Sequence, residues 1–162
     1  MYLLPNMFTT LSMFLGFLSV VWASQGKIEN ACLAILASGI MDSLDGKIAR
    51  LTHTSTEFGV QYDSLSDLVA FGLAPAFLLW HWHLCELGRV GLAGSFIFAV
   101  CGALRLARFN VTTASIGKRF FVGLPIPAGA CTVATFVFFS NWLPECMQDI
   151  MPYCALVVAI AT

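Results

Sequence analysis

The sequence predicts an all-α integral membrane protein, a single domain over residues 1–162 with six transmembrane helices, the last of them truncated. Three observations lead there. Hydrophobic residues make up 59% of the chain, charged residues 10%, and the mean hydropathy is +0.84, well above the roughly 45–50% apolar usage of soluble domains. The apolar residues gather into stretches approaching the roughly 20 residues with which a helix crosses a bilayer's hydrocarbon core. Alternation at period two, which a membrane barrel needs, is absent.

The first stretch, 5–24, ends in Val21-Trp22-Ala23, which loosely fits a signal-cleavage site. No Lys or Arg precedes it as a charged leader segment, so it reads as a retained helix. Gln25-Gly26-Lys27 then makes a turn into the second stretch, 28–50. A connection rich in threonine, 51–58, leads to the third, 59–82, whose Trp80-His81-Trp82-His83 run lies about 20 Å of helix beyond Asp67 and reads as an aromatic belt at the opposite interface. His81 and His83 are two apart and do not face each other on a helix, which argues against a metal pair. The fourth stretch, 90–109, follows a short connection at 85–89. After a loop at 110–119 carrying Lys118 and Arg119 comes the fifth, 121–142, where Pro125 and Pro127 remove backbone donors and predict a bend. The sixth, 150–162, would reach only about 20 Å as a helix, so it is expected to be incomplete.

Placing the connections on alternate sides puts Lys47, Arg50, Arg105, Arg108, Lys118 and Arg119 on one side and Lys27 and Arg89 on the other. This six-to-two bias predicts that the first side, with the N-terminus, is cytoplasmic. A formal net charge of -1 and the lack of a basic cluster argue against nucleic acid as a partner. The six cysteines form no C-x-x-C pair and lie mostly in apolar sequence, where they pack as small hydrophobes.

Four of the nine acidic residues, Asp42, Asp45, Asp63 and Asp67, fall in one short span. The first two are three apart and the last two four apart, so each pair shares a helical face. Residues 51–58 form the turn of a helical hairpin, and the pairs 42/67 and 45/63 are centred almost on one position, which sets Asp42 level with Asp67 and Asp45 level with Asp63. Four carboxylates at the edge of a low-dielectric slab require protons or cations. Oxygen ligands of this kind suit one or two Mg²⁺ or Mn²⁺ ions. Gly46, Ala49 and Gly59 continue the carboxylate stripes without bulk, leaving room for a ligand, although small residues also let helices pack tightly. Asn6, Thr9, Arg50, Arg105 and Arg108 fall on the same side; Asn6 also fits a helix cap, and the arginines also fit snorkelling anchors. Carboxylates, divalent metal and arginines are the parts used for phosphoryl-type transfer.

The pattern Asp42-x2-Asp45-Gly46-x2-Ala49-Arg50-x8-Gly59-x3-Asp63-x3-Asp67, residues 42–67, resembles without a departure the signature of the CDP-alcohol phosphatidyltransferases. LPNMFT near the start, FGLAPA after Asp67, CGALRLARFN and GLPIPAGA resemble the phosphatidylserine synthases of that family. The resemblance implies a six-helix domain, commonly dimeric, whose cytoplasmic-side cavity holds divalent metal and CDP-diacylglycerol. It implies transfer of the phosphatidyl group to the hydroxyl of L-serine with release of CMP. Asp42, Asp45 and Asp63 would then be metal ligands, with Asp67 both ligand and general base. Asp45, Gly46, Ala49, Arg50 and Gly59 would line the CDP site, with Asn6 and Thr9 nearby. Arg105 and Arg108 are candidates for the serine carboxylate or a substrate phosphate, which arginine holds well through bidentate contacts. No Ser, Cys or His in the signature stands out as an activated nucleophile, which favours direct displacement. The signature alone leaves other acceptors open: glycerol 3-phosphate, inositol or inositol phosphate, or a choline-type alcohol. A divalent-cation channel is a different reading, but it predicts carboxylates along a route to both membrane faces.

Overall fold

The structure, a computed structural model, describes residues 3–52, 57–116 and 126–140. Described residues outside turns are helical: α1 (Leu3–Ser24), α2 (Ile28–Thr52), α3 (Glu57–Asp67), α4 (Ala74–Trp82), α5 (Arg89–Ile116) and α6 (Ile126–Ser140). A π-helical turn, Leu68–Leu73, joins α3 to α4, and a 3₁₀ turn, Leu84–Leu87, leads into α5. Of the expected connection 51–58, residues 51–52 belong to α2 and 57–58 to α3; residues 53–56, Lys118, Arg119, Pro125 and the expected sixth stretch, 150–162, lie outside the described residues.

Among the described residues, three segments are long and apolar enough to cross a membrane: Asn6–Ser24, Phe58–Trp82, which runs through the π turn, and Arg89–Val111. At 25 residues α2 is as long, but it carries Glu29, Asp42, Asp45, Lys47 and Arg50. Large apolar side chains face outward along α1 (Met7, Leu11, Phe14, Phe17) and α5 (Val90, Phe96, Leu104). So much exposed apolar surface is suited to lipid rather than water.

α1 ends as its sequence dictates. Gly26 adopts φ +76°, its N–H donates to the Ala23 carbonyl at 3.0 Å, and the Lys27 N–H donates to Trp22 at 2.9 Å. These two bonds satisfy carbonyls that the helix end would otherwise leave open, and glycine takes the left-handed conformation without steric cost. The chain thereby reverses, and α2 packs along α1 through buried hydroxyls. The Ser12 and Ser38 oxygens lie 2.8 Å apart, the Ser38 hydroxyl is 3.1 Å from the Ser12 carbonyl, and the Ser19 hydroxyl donates to the Ala31 carbonyl at 2.9 Å. Small residues with interhelical hydrogen bonds are how helices associate where no hydrophobic drive separates protein from lipid.

Behind this pair lies the apolar core, with Ile35 from α2, Phe71 from the π turn, Leu78 and Leu79 from α4, and Val133 and Val137 from α6. At Gly16 a Cβ would stand 2.5 Å from the Ala70 Cα, and at Gly39 one would stand 2.9 Å from the Cys131 sulfur. The lack of a side chain at these two points lets α1 seat on the π turn and the Cys131 sulfur of α6 seat on α2.

Two expectations change. Residues 110–116 are not loop but the last turns of α5, and Asn110 secures them by donating through Nδ2 to the Ser64 hydroxyl on α3 at 3.0 Å. Asn6 does not cap the first helix, because α1 already begins at Leu3. At the far end His81 stacks on Phe77 and His83 meets the Trp82 ring edge-on, so the two imidazoles engage different neighbours.

Candidate active site

The end of the bundle opposite Lys27 and Arg89 gathers the start of α1, the second half of α2, all of α3 and the end of α5. Asp42 and Asp45 stand one turn apart on α2, and Asp63 and Asp67 one turn apart on α3. One carboxylate oxygen from each of Asp42, Asp63 and Asp67 lies within 4.8 Å of the other two, and all three residues are half-buried. Among the described residues this is the one group of three or more side chains with metal-ligating atoms so placed. The Asp42 and Asp67 carboxyl groups are in hydrogen-bonding contact, the level pairing that the hairpin spacing predicts.

Asp45 stands apart from that trio. It is 5% exposed, and its Oδ2 accepts a hydrogen bond from the Thr9 hydroxyl at 3.0 Å. Thr9, 6% exposed, is in turn held through its carbonyl, which accepts from the Ser66 hydroxyl at 3.0 Å. Ser66 sits on α3 between the two aspartates and is 1% exposed. A second link joins the same helices nearer the rim, where the Thr10 and Tyr62 hydroxyl oxygens lie 3.0 Å apart. Sequence reasoning missed Ser64, Ser66, Tyr62 and Asn110, because a serine beside an aspartate carries no signal of which helix it will meet.

Directly after Asp67 the helix widens. The Ala74 N–H donates to the Val69 carbonyl, five residues back, instead of to residue 70. Pro75 explains the change: it has no N–H for the carbonyl four residues before it, and its ring would clash with that carbonyl in a regular helix. The extra residue in the turn rotates the chain, so the face bearing Asp63 and Asp67 is decoupled from the buried face bearing Leu78 and Leu79. Single π turns of this kind recur at functional sites. The FGLAPA motif was the available signal, since its proline falls within an apolar helix.

The small residues divide. A Cβ added at Gly46 would meet no heavy atom within 4 Å, so the α2 surface beside Asp42 and Asp45 is open. Gly59 is half-buried on α3. Ala49 and Arg50 lie on the last turns of α2, where side chains are outside the described residues. Asn6 is half-buried one turn inside α1, and its carbonyl accepts from the Thr10 hydroxyl at 2.6 Å. Arg105 and Arg108 lie one turn apart on α5 and differ in exposure. Arg105 is half-buried and lines a small, mostly apolar pocket with Phe71, Phe98, Gly102, Ile126 and Gly129, whereas Arg108 is exposed.

Three half-buried carboxylates this close repel one another unless a proton or cation lies between them. The oxygen ligands of one hard divalent ion, bound at about 2.0–2.6 Å each, lie within about 5 Å of one another. The donor set and spacing of Asp42, Asp63 and Asp67 fit such an ion, and the open surface at Gly46 leaves room for an anionic ligand beside it.

A family model described as CDP-alcohol phosphatidyltransferase matches residues 2–161. Among curated proteins, a CDP-diacylglycerol–serine O-phosphatidyltransferase of Helicobacter pylori strain J99 is 45% identical over 141 residues, covering 87% of this chain and 60% of the relative. The protein of the same name in Methanocaldococcus jannaschii is 42% identical, covering 82% of this chain and 62% of its own length. An archaetidylserine synthase of Methanothermobacter thermautotrophicus is 38% identical, over 82% and 57% respectively. The chain thus spans about 60% of the length of these relatives. With the match running nearly end to end and the signature aspartates meeting across α2 and α3, the chain belongs to the CDP-alcohol phosphatidyltransferase family.

Proposed function

We propose that this protein transfers the phosphatidyl group of CDP-diacylglycerol to the hydroxyl of L-serine, producing phosphatidylserine and CMP. The observation that carries the reading is the meeting of Asp42, Asp63 and Asp67 at one end of the helices, beside an open stretch of α2. Serine as the acceptor rests on the relatives, whose names all specify a serine product or substrate.

In this reading Asp42, Asp63 and Asp67 hold a divalent cation, Mg²⁺ or Mn²⁺, with Asp45 beside them as a fourth ligand and room for a second ion. When bound, the cation offsets charge on the diphosphate and makes CMP a better leaving group. Asp45, Gly46, Ala49, Arg50 and Gly59 receive the CDP portion, with Asn6 and Thr9 alongside. Asp67, furthest along α3 and next to the π turn, takes the proton of the serine hydroxyl. The serine oxygen then forms a bond to the β-phosphorus, the bond from that phosphorus to the bridging oxygen breaks, and CMP departs with the electron pair. In the same reading Arg105 and Arg108 receive a substrate phosphate or the serine carboxylate, supported by the position of Arg105 beside a small apolar pocket. The domain would have six spans, form a homodimer, and face the cytoplasm with its N-terminus and site, following the distribution of Lys and Arg.

The test supplies CDP-diacylglycerol and Mn²⁺ or Mg²⁺ with radiolabelled serine, glycerol 3-phosphate, inositol or inositol phosphate, and follows labelled lipid and CMP. Labelled phosphatidylserine is expected. Transfer to another acceptor but not to serine would sink the assignment, and covalent capture of a phosphatidyl-enzyme would overturn direct displacement.

A further inference from the structure

We infer that Thr9 and Ser66 are positioning residues that set the orientation of the Asp45 carboxylate against the Asp42–Asp63–Asp67 group; the inference rests on the metal-dependent reading above. The link is continuous and buried. From α3 the Ser66 hydroxyl holds the carbonyl of Thr9, and from α1 the Thr9 hydroxyl holds Oδ2 of Asp45 on α2, each at 3.0 Å. All three residues are buried.

Comparison with the rest of the α1–α2 seam shows why this is more than helix packing. At Ser12, Ser38 and Ser19 the buried hydroxyls bond to one another or to carbonyls, neutral partners that close the seam and need nothing beyond it. At Thr9 the hydroxyl meets a carboxylate. A hydroxyl that holds one oxygen of a carboxylate fixes which way the other oxygen turns, so the bond sets an orientation as well as a contact. Asp45 is also the aspartate that the structure leaves out of the three-carboxylate group. Its carboxylate is therefore aimed by α1, while those of Asp63 and Asp67 are aimed by α3. Ser66, one residue before Asp67, ties these two frames together, so a displacement of α1 would move Asp45 relative to the proposed base.

Outer partners that orient ligating carboxylates change metal affinity by about 10–100-fold when removed. The test compares the wild-type full chain in detergent with Thr9→Val, Thr9→Ser and Ser66→Ala, titrating Mn²⁺ and following the free-ion EPR signal, with thermal unfolding and kcat and KM measured in parallel. T9V keeps the shape of the side chain and lacks its hydroxyl. It is expected to weaken Mn²⁺ binding about tenfold, T9S is expected to restore it, and S66A to weaken it less, with unfolding temperatures close to wild type. Unchanged Mn²⁺ binding in both T9V and S66A would overturn the inference and leave serine transfer by the wild type standing as a separate result. Weakened binding that T9S fails to rescue would also overturn it, since the hydroxyl would then be irrelevant. A wild type that binds no Mn²⁺ would overturn both readings.

Discussion

Replacing Gly46 with alanine separates what the fold needs from what the site needs. Gly46 lies within α2, one residue after Asp45, and a Cβ built there meets no heavy atom within 4 Å. The fold therefore offers no steric objection. Alanine in a helix interior is favoured over glycine by about 0.8–1.0 kcal/mol, which for a chain of this size raises the unfolding temperature by about 2–4 °C. The same methyl group would project into the open surface where the diphosphate is proposed to approach Asp42 and Asp45. Displacing a reacting group by about 1 Å costs on the order of 10²-fold in rate. The expected outcome is a G46A protein that unfolds at a higher temperature and releases CMP with kcat/KM lower by about that factor. Thermal unfolding in detergent and a CMP-release assay on the same preparation measure both. A stabilised G46A protein with wild-type kcat/KM would show that no ligand approaches this face and would refute the placement of the CDP group.

The opposite behaviour is expected of G16A, whose new Cβ would lie 2.5 Å from the Ala70 backbone, and it should lose about 1–3 kcal/mol in chemical unfolding despite the better helix former. D67N keeps the size of the side chain and removes the base, so kcat should fall by about 10²–10⁴ in single-turnover assays. D63N removes one member of the carboxylate trio, and calorimetric titration with Mn²⁺ should show weaker binding than in wild type. Removing both hydroxyls of the Ser12–Ser38 pair should cost only about 1 kcal/mol, because interhelical hydrogen bonds in membranes average about 0.6 kcal/mol each. Serine transfer by that double variant should match wild type, since Ser12 and Ser38, one turn from Thr9 and Asp42, bond to each other rather than to an aspartate.

Much of the site was readable before any coordinates, for a definite reason. Helix geometry is rigid, so spacings of three and four residues place Asp42 with Asp45 and Asp63 with Asp67 whatever the surroundings. The short connection between the helices then makes the level meeting of Asp42 with Asp67 nearly obligatory. Composition was equally decisive for the helical class, because lipid leaves backbone polar groups no partner outside a helix or closed barrel.

Contacts between helices distant in sequence were not readable. That Thr9 turns its hydroxyl to Asp45, that Ser66 reaches back to α1, and that Asn110 extends α5 by bonding Ser64 all depend on how helices rotate about their axes. Local sequence hardly constrains that rotation, since any polar residue in a helix has several neighbours it can meet. Their spacing puts Arg105 and Arg108 on neighbouring turns, but only packing decides that Arg105 is half-buried beside residues of α6 and the π turn while Arg108 is exposed. The sequence by itself determined the helical class and the family signature with its paired carboxylates, because these follow from composition and from the fixed pitch of a helix. The tertiary structure alone decided that Asp42, Asp63 and Asp67 form one group while Asp45 bonds to Thr9, because that outcome depends on the approach of α1 and on how α2 and α3 rotate toward each other.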